Sequence, residues 1–161
     1  MRGKPAAKRK IEPDGKYHNV VIAKFINHIM EGGKKTIAQG IVYQAFDELK
    51  ALAEKNGQKN ANPLELFDRA LRNVTPTIEV RSKRVGGANY QIPTPVRSER
   101  AVSLAFRWIL EASRARKGKP MATKLAQELW EAFQEQGGAM KKKEDVFRMA
   151  QANRAFAHFA R

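Results

Sequence analysis

Three histidines carry the most versatile chemistry in this sequence, and their spacing does not form a metal site. His18, His28 and His158 are so far apart that no two of them share a helical face at the three- or four-residue spacing of a metal pair. The chain has no cysteine, which excludes disulfides and thiolate-bound metals. We therefore expect neither a metal ion nor another cofactor.

A short segment, GGKKT at 32–36, resembles a nucleotide-binding loop only superficially. His28 stands where that loop has its first glycine, and Lys35 occupies the place of the hydroxyl that binds magnesium. Acidic pairs such as Asp47 and Glu48 fall on polar helix positions, where solvated faces are commoner than acid/base pairs. With no nucleophile elbow either, the sequence predicts a protein that is not an enzyme, and a turn whose lysines contact phosphate.

The strongest signal is positive charge. The 161 residues include 31 Lys and Arg against 16 Asp and Glu, a net charge of +15, which favours a polyanionic partner. A membrane surface is a poor alternative, because we find no basic amphipathic helix, no lipid anchor and no apolar run near the roughly 20 residues of a span. Nucleic acid is therefore the expected partner, and a cytosolic protein the expected setting.

The first eighteen residues are predicted to form a basic N-terminal arm. Between Arg2 and Lys10 five of nine residues are basic and none is acidic, while Gly3 and Pro5 disfavour a helix. We expect this arm, residues 1–18, to be disordered when free and to become ordered on RNA. A solvated tail that only aids solubility is the alternative.

The remaining residues, 19–161, are predicted to form one mostly α-helical domain of six helices. Apolar residues recur at helical spacing, with expected N-terminal caps at Thr36, at Asn62 before Pro63, and at Ser98. Helix one should run from Val20 to the glycines at 32–33. The residues expected to face the interior include Phe25, Ile29, Ile37, Leu49, Leu64, Phe67, Phe106, Ile109, Leu125, Trp130, Met149 and Phe156.

Residues 77–93 switch to period-two alternation, which predicts a β-hairpin that turns at Gly86-Gly87 and ends at Pro93 and Pro95. Its apolar stripe is too short to cover a core, so the tip should project into solvent or a partner. A basic two-stranded ribbon suits nucleic acid but does not choose RNA over DNA. A nucleoid-type architectural DNA-binding protein is the alternative, although the tip lacks the proline wedge of such arms.

The hairpin segment, EVRSKRVGGANYQIP at 79–93, resembles the signature of the small-subunit ribosomal protein seven family, bacterial type. The resemblance continues in order at 24–27, 33–35, 73–76, 107–108, 137–145 and 148–150. Two departures are visible: the loop at 54–62 is longer than expected, and the end, FAHFAR, replaces tyrosines and a terminal tryptophan.

This resemblance implies a structural constituent of the small ribosomal subunit in the cytoplasm. It implies a primary binder that organises the 3′ major domain of ribosomal RNA, the head, beside the exit-site path of transfer RNA and messenger RNA. The implied protein neighbours are small-subunit proteins nine and eleven, and no membrane is involved. Charge and resemblance together predict ribosomal RNA contacts from Arg2, Lys4, Lys8, Arg9, Lys10, Lys34, Lys35, Arg81, Lys83, Arg84, Arg97, Arg100, Arg107, Arg114, Arg116, Lys117, Lys119, Lys141, Lys142 and Lys143.

The exit-site neighbourhood is assigned to the hairpin tip and to the last helix. The resemblance implies proximity to transfer RNA or messenger RNA for Arg84, Val85, Gly86, Gly87, Ala88, Asn89, Tyr90, Arg148 and Arg154. Two roles stay open for this tip: an exit-site contact that assembly does not need, or one more RNA anchor. Tyr90 itself is open between packing within the protein and stacking on a base.

Overall fold

The computed structural model describes residues 3, 6–7, 9–58 and 61–160. The chain divides into two compact units, one ending at Gly40 and the other beginning at Ile41. The boundary expected at residue 18 between arm and helical domain stays a prediction. Arg2, Lys4 and Lys8 of the expected arm lie outside the described residues.

The first unit is built around helix α1, Val20–Ile29. Asn19 caps it, since its side-chain oxygen accepts the Val21 N–H at 2.7 Å. Ile22, Phe25 and Ile29 are buried, in agreement with the predicted apolar stripe. The helix ends before Gly32 and Gly33, whose φ angles of +59° and +74° form the predicted turn toward the next helix.

Helix α2, Lys35–Lys55, includes residues of both units and begins earlier than predicted. Thr36 lies inside its first turn, so the predicted capping box is wrong. The predicted interior face is also wrong by one position at its start, because Ile37 is 59% exposed while Ala38, Val42 and Leu49 are buried. A small residue, Ala38, turns inward in place of the larger isoleucine next to it.

The second unit contains four further α-helices: α3 Pro63–Val74, α4 Ser98–Ala115, α5 Met121–Phe133 and α6 Gly138–Ala152. Asn62 caps α3 as predicted, accepting the Leu64 N–H at 3.1 Å, with proline in the first turn. Ser98 does not cap α4, because it is already helical and the cap position is Arg97, which makes no side-chain cap bond. The last predicted helix stops at Ala152, and a 3₁₀ helix follows at Arg154–Ala160.

The second unit's core is aromatic and aliphatic. Phe46 of α2 and Phe67 of α3 are fully buried with ring centroids 5.3 Å apart. Trp108 and Trp130 are 6% and 9% exposed, which confirms that both tryptophans pack in the core. Met149, however, is 48% exposed, so its predicted inward orientation is wrong.

The hairpin pairs β1, Ile78–Val85, with β2, Ala88–Pro95, in an antiparallel sheet. Gly86 and Gly87 form the predicted two-residue turn, with φ angles of +58° and +89°, values that glycine adopts without strain. The strand continues through both prolines, so its predicted end was too early.

The register explains why these prolines are tolerated. The Thr77 carbonyl accepts the Val96 N–H at 3.0 Å, so these two residues form a hydrogen-bonded pair. Hydrogen-bonded and non-hydrogen-bonded pairs alternate along an antiparallel ladder. Pro95, opposite Ile78, and Pro93, opposite Val80, therefore occupy non-hydrogen-bonded pairs. Neither position needs the N–H that proline lacks.

The predicted fold class is confirmed: the described chain is mostly α-helical with one β-hairpin. None of its helices is long and apolar enough to cross a membrane. The same part of the chain holds no group of three His, Cys, Asp or Glu side chains placed to bind a metal ion.

Candidate nucleic-acid interface

Most of the predicted RNA-contacting side chains are exposed. The structure places on the surface Arg9, Lys10, Lys34, Lys35, Arg81, Lys83, Arg84, Arg97, Arg100, Arg107, Arg114, Lys117, Lys119, Lys141, Lys142, Arg148 and Arg154. Arg116 and Lys143 are partly buried. Arg9 and Lys10 precede α1 in a stretch without regular secondary structure. Exposed cations are thus numerous, and among the predicted contacts that the structure describes Arg116 and Lys143 alone are partly buried.

A buried carboxylate organises the arginines at the base of the hairpin. Glu79, whose side chain is 7% exposed, pairs with Arg81 of the same strand, and its Oε2 accepts Arg100 Nε of α4 at 2.6 Å. Burial alone would raise the pKa of the Glu79 carboxyl, but hydrogen bonds from Arg100 and Arg81 outweigh burial and lower it. Both arginine side chains stay about half exposed, so the carboxylate orients them and leaves them accessible to solvent.

Arg116 is held differently, by two glutamates of α5. Its Nη2 lies 2.6 Å from Glu128 Oε2 and 2.5 Å from Glu131 Oε2. The bond to Glu131 raises the pKa of the Arg116 guanidinium, against the opposing effect of burial and with further help from Glu128. Only 26% of the Arg116 side chain is exposed. This arginine is engaged in joining the end of α4 to α5.

Glu128 also caps the start of α6. It is 1% exposed, and its Oε1 accepts the Ala139 N–H at 2.8 Å, one of the first-turn donors that have no partner within a helix. Gly137 makes room for this contact, because a Cβ there would lie 3.1 Å from Glu128 Oε1. The glycine pair of the 137–145 motif therefore serves packing.

Lys143 is a second structural cation. Its Nζ donates to the Asn73 carbonyl at 2.5 Å, while the Asn73 side-chain amide donates to the carbonyls of Ala132 and Phe133 at 3.0 and 3.2 Å. These bonds tie the C-terminal ends of α3 and α5 to α6. Of the three adjacent lysines, Lys141 and Lys142 remain exposed.

The hairpin tip is open, whereas Tyr90 is engaged. Gly86, Gly87, Ala88 and Asn89 are exposed. Tyr90 lies among aromatic rings of the 3₁₀ helix. Within the protein its ring therefore packs against these rings.

Comparison with known proteins identifies the family of this basic chain. The sequence model of the family described as ribosomal protein S7p/S5e matches residues 1–154. The chain belongs to this family. A small ribosomal subunit protein uS7 of Thermotoga neapolitana is 54% identical over 159 residues, 99% of each chain.

Two further relatives carry the same name. The protein of Thermosipho melanesiensis is 56% identical over 159 residues, again 99% of each chain, and that of Chloroflexus aurantiacus is 54% identical over 154 residues, 96% of this chain and 94% of the relative. The resemblance found in the hairpin signature is thereby confirmed over nearly the whole length.

S7p/S5e membership accounts for the absence of a catalytic constellation in the sequence. The family consists of structural ribosomal proteins, so the prediction that the chain is not an enzyme is confirmed. Its place is the cytoplasmic ribosome, also as predicted.

The structural acids of this S7p/S5e chain were missed by sequence reasoning. Glu79 holds Arg81 and Arg100, and Glu128 holds Arg116 together with Glu131. Glu79 carried one usable signal, since it alternates with arginine in a short strand. Glu128 carried none, because its partners are 12 and 11 residues away and meet only in the folded chain.

Proposed function

We propose that the chain is a structural constituent of the small ribosomal subunit that binds ribosomal RNA directly and organises the 3′ major domain. Family membership and the exposed cations support this proposal. Exposed Lys and Arg side chains occur on both units, in the stretch before α1, on the hairpin, and on α4 and α6. A surface of this kind neutralises phosphates and holds RNA segments in a fixed arrangement.

The contact set is the predicted one without two residues. Arg116 and Lys143 are excluded, because each already donates to partly buried acceptors of the protein. Arg81 and Arg100 are retained: Glu79 fixes their direction while about half of each side chain faces solvent. A guanidinium that is oriented in advance loses less conformational freedom when it meets a phosphate.

We further propose that the hairpin tip lies beside the exit-site path of transfer RNA and messenger RNA, with small-subunit proteins nine and eleven as neighbours. The tip carries no large side chain from Gly86 to Ala88 and is exposed there, so a nucleic-acid strand can approach its backbone closely. Arg84 and Asn89, opposite each other in the register, would then flank that approach.

A salt titration tests the RNA-binding proposal. The full chain should bind a fragment of the 3′ major domain with an affinity that falls about 10³- to 10⁵-fold between 50 and 200 mM salt, as expected when ~6 to 10 phosphates are contacted. The double variant Lys141→Gln, Lys142→Gln should lower the salt slope by about 1 to 2.

Lys50→Gln is the matched control for that titration. Lys50 is exposed on α2, pairs with Glu54 at 3.9 Å and is not in the proposed contact set, so its loss should leave the slope unchanged. A flat salt dependence of the parent chain, or tighter binding to duplex DNA than to the RNA fragment, would contradict the proposal. The second result would favour an architectural DNA-binding protein.

A deletion of the tip separates its two possible roles. Joining Lys83 to Tyr90 through a two-residue Asn-Gly turn should leave incorporation into subunits intact and weaken exit-site transfer RNA retention or reading-frame maintenance. Loss of incorporation together with fidelity would make the tip an assembly anchor.

A further inference from the structure

The 3₁₀ helix at Arg154–Ala160 packs its aromatic side chains against the hairpin. The ring centroids of Tyr90 and Phe156 are 4.9 Å apart with planes at 52°, and those of Tyr90 and Phe159 are 5.8 Å apart at 36°. Phe156 and Phe159 in turn lie 6.5 Å apart. Such tilted and offset pairs attract each other beyond the apolar area that they bury.

A hydrogen bond joins the same helix to the other strand. Lys83 Nζ donates to the Phe159 carbonyl at 2.9 Å. Lys83 is the direct cross-strand partner of Tyr90, so the 3₁₀ helix contacts both members of one pair. This pair lies two positions from Val85 and Ala88, which close the turn.

Within the part of the chain that the structure describes, the distal half of the hairpin buries few other side chains. Two strands without a packed face are only marginally stable in water. The buried hairpin residues are Glu79 and Ile92, both toward the base. Among the hairpin residues from Arg81 to Gln91, all of which the structure describes, only Tyr90 and Val85 are even partly buried.

We infer that Arg154–Ala160 is a strap: it holds the distal half of the hairpin in its extended position through Tyr90 and Lys83, whereas the base has further anchors in buried Ile92 and in the Glu79–Arg100 pair. The inference concerns the protein without RNA and does not rest on the proposed function.

Hydrogen exchange of the full chain, without RNA, tests the strap. In the double variant Phe156→Ala, Phe159→Ala, amides between Lys83 and Tyr90 should exchange about tenfold faster or more, because two ring contacts no longer oppose local opening. Amides of α4 and α5 should keep their rates. Phe133→Ala is the matched control, since Phe133 is a partly buried phenylalanine of α5 whose ring stacks on Trp130 and not on Tyr90, and it should leave hairpin exchange unchanged.

A second variant tests the strap without touching the aromatic rings. Lys83→Met removes the donor to Phe159 and should accelerate the same amides about two- to tenfold. Unchanged hairpin exchange in both variants would overturn the inference. Equal acceleration throughout α4, α5 and the hairpin would overturn it too, because the segment would then support the whole unit instead of the hairpin.

Discussion

Replacing Glu128 should destabilise the second unit more than replacing any exposed acid. Glu128→Ala removes the partner that receives two donors of Arg116, at 3.1 and 2.6 Å, and leaves the Ala139 N–H without its acceptor. Breaking a buried ion pair costs about 3 to 5 kcal/mol, and an unsatisfied buried N–H about 1 to 3 kcal/mol. Arg116 is 26% exposed and keeps Glu131, so we expect about 3 to 5 kcal/mol in total.

Urea unfolding followed by circular dichroism measures this loss, with two matched variants. Glu128→Gln keeps an oxygen for Ala139 but loses the charge, and should cost about 1 to 3 kcal/mol. Glu131→Gln alters an acid that is 35% exposed and binds Arg116 alone, and should cost about 1 kcal/mol or less. Two results would contradict the role of Glu128 in joining α4, α5 and α6. One is a free energy of unfolding of Glu128→Ala within 1 kcal/mol of the parent, and the other is an equally large loss in Glu131→Gln.

Three further outcomes follow from other contacts. Lys143→Gln should lower the free energy of unfolding by about 1 to 2 kcal/mol, because the charged donor to the Asn73 carbonyl is lost, whereas Lys142→Gln should alter only RNA affinity; urea unfolding and filter binding distinguish them. Since the folded pKa of Glu79 is below its ordinary 4.5, its stabilising contribution should be present above about pH 4.5 and disappear as the pH falls through the folded value. Glu79→Gln should therefore flatten the acid limb of the stability profile. Gly87→Ala should lower the free energy of unfolding by about 1 kcal/mol, as thermal unfolding can measure. Nothing obstructs a Cβ at this position, so the loss comes from backbone strain at φ +89°.

Local sequence patterns were sufficient to predict the six α-helices and the hairpin, although not the 3₁₀ helix. Helical spacing of apolar residues depends only on neighbours within a few turns, and the cap at Asn62 with Pro63 depends on adjacent residues. The same holds for the hairpin, where Gly86-Gly87 between alternating residues fixes the turn. These features needed no knowledge of the tertiary structure.

The details that failed depend on packing partners far away in the sequence. Ile37 is a strong apolar residue, yet α2 turns Ala38 inward, and nothing within the helix marks that rotation. Met149 fits the helical stripe of α6 but is 48% exposed. The β2 strand passes through Pro93 because the ladder register spares its missing N–H, which a residue count does not reveal.

The candidate interface stays a prediction, and the sequence predicts it as a set and not residue by residue. Net charge and clustering predict a polyanion-binding surface, but they treat Lys142 and Lys143 alike. The fold separates these neighbours, since one remains exposed and the other reaches the Asn73 carbonyl. Arg116 is separated from Lys117 in the same way, by glutamates of another helix.

Two buried acids, Glu79 and Glu128, help a strongly basic chain to fold and still present its charge. With 16 acids for 31 Lys and Arg, like-charge repulsion opposes compaction. Glu128 is buried, where it pairs with Arg116 and caps the start of α6. It stabilises packing there without neutralising the surface. Glu79 lies at the base of the hairpin and pairs with two half-exposed arginines, which it orients. Acids in these positions hold the protein together while most of the predicted contact cations that the structure describes stay exposed. Binding to RNA phosphates, as proposed above, would relieve the remaining repulsion.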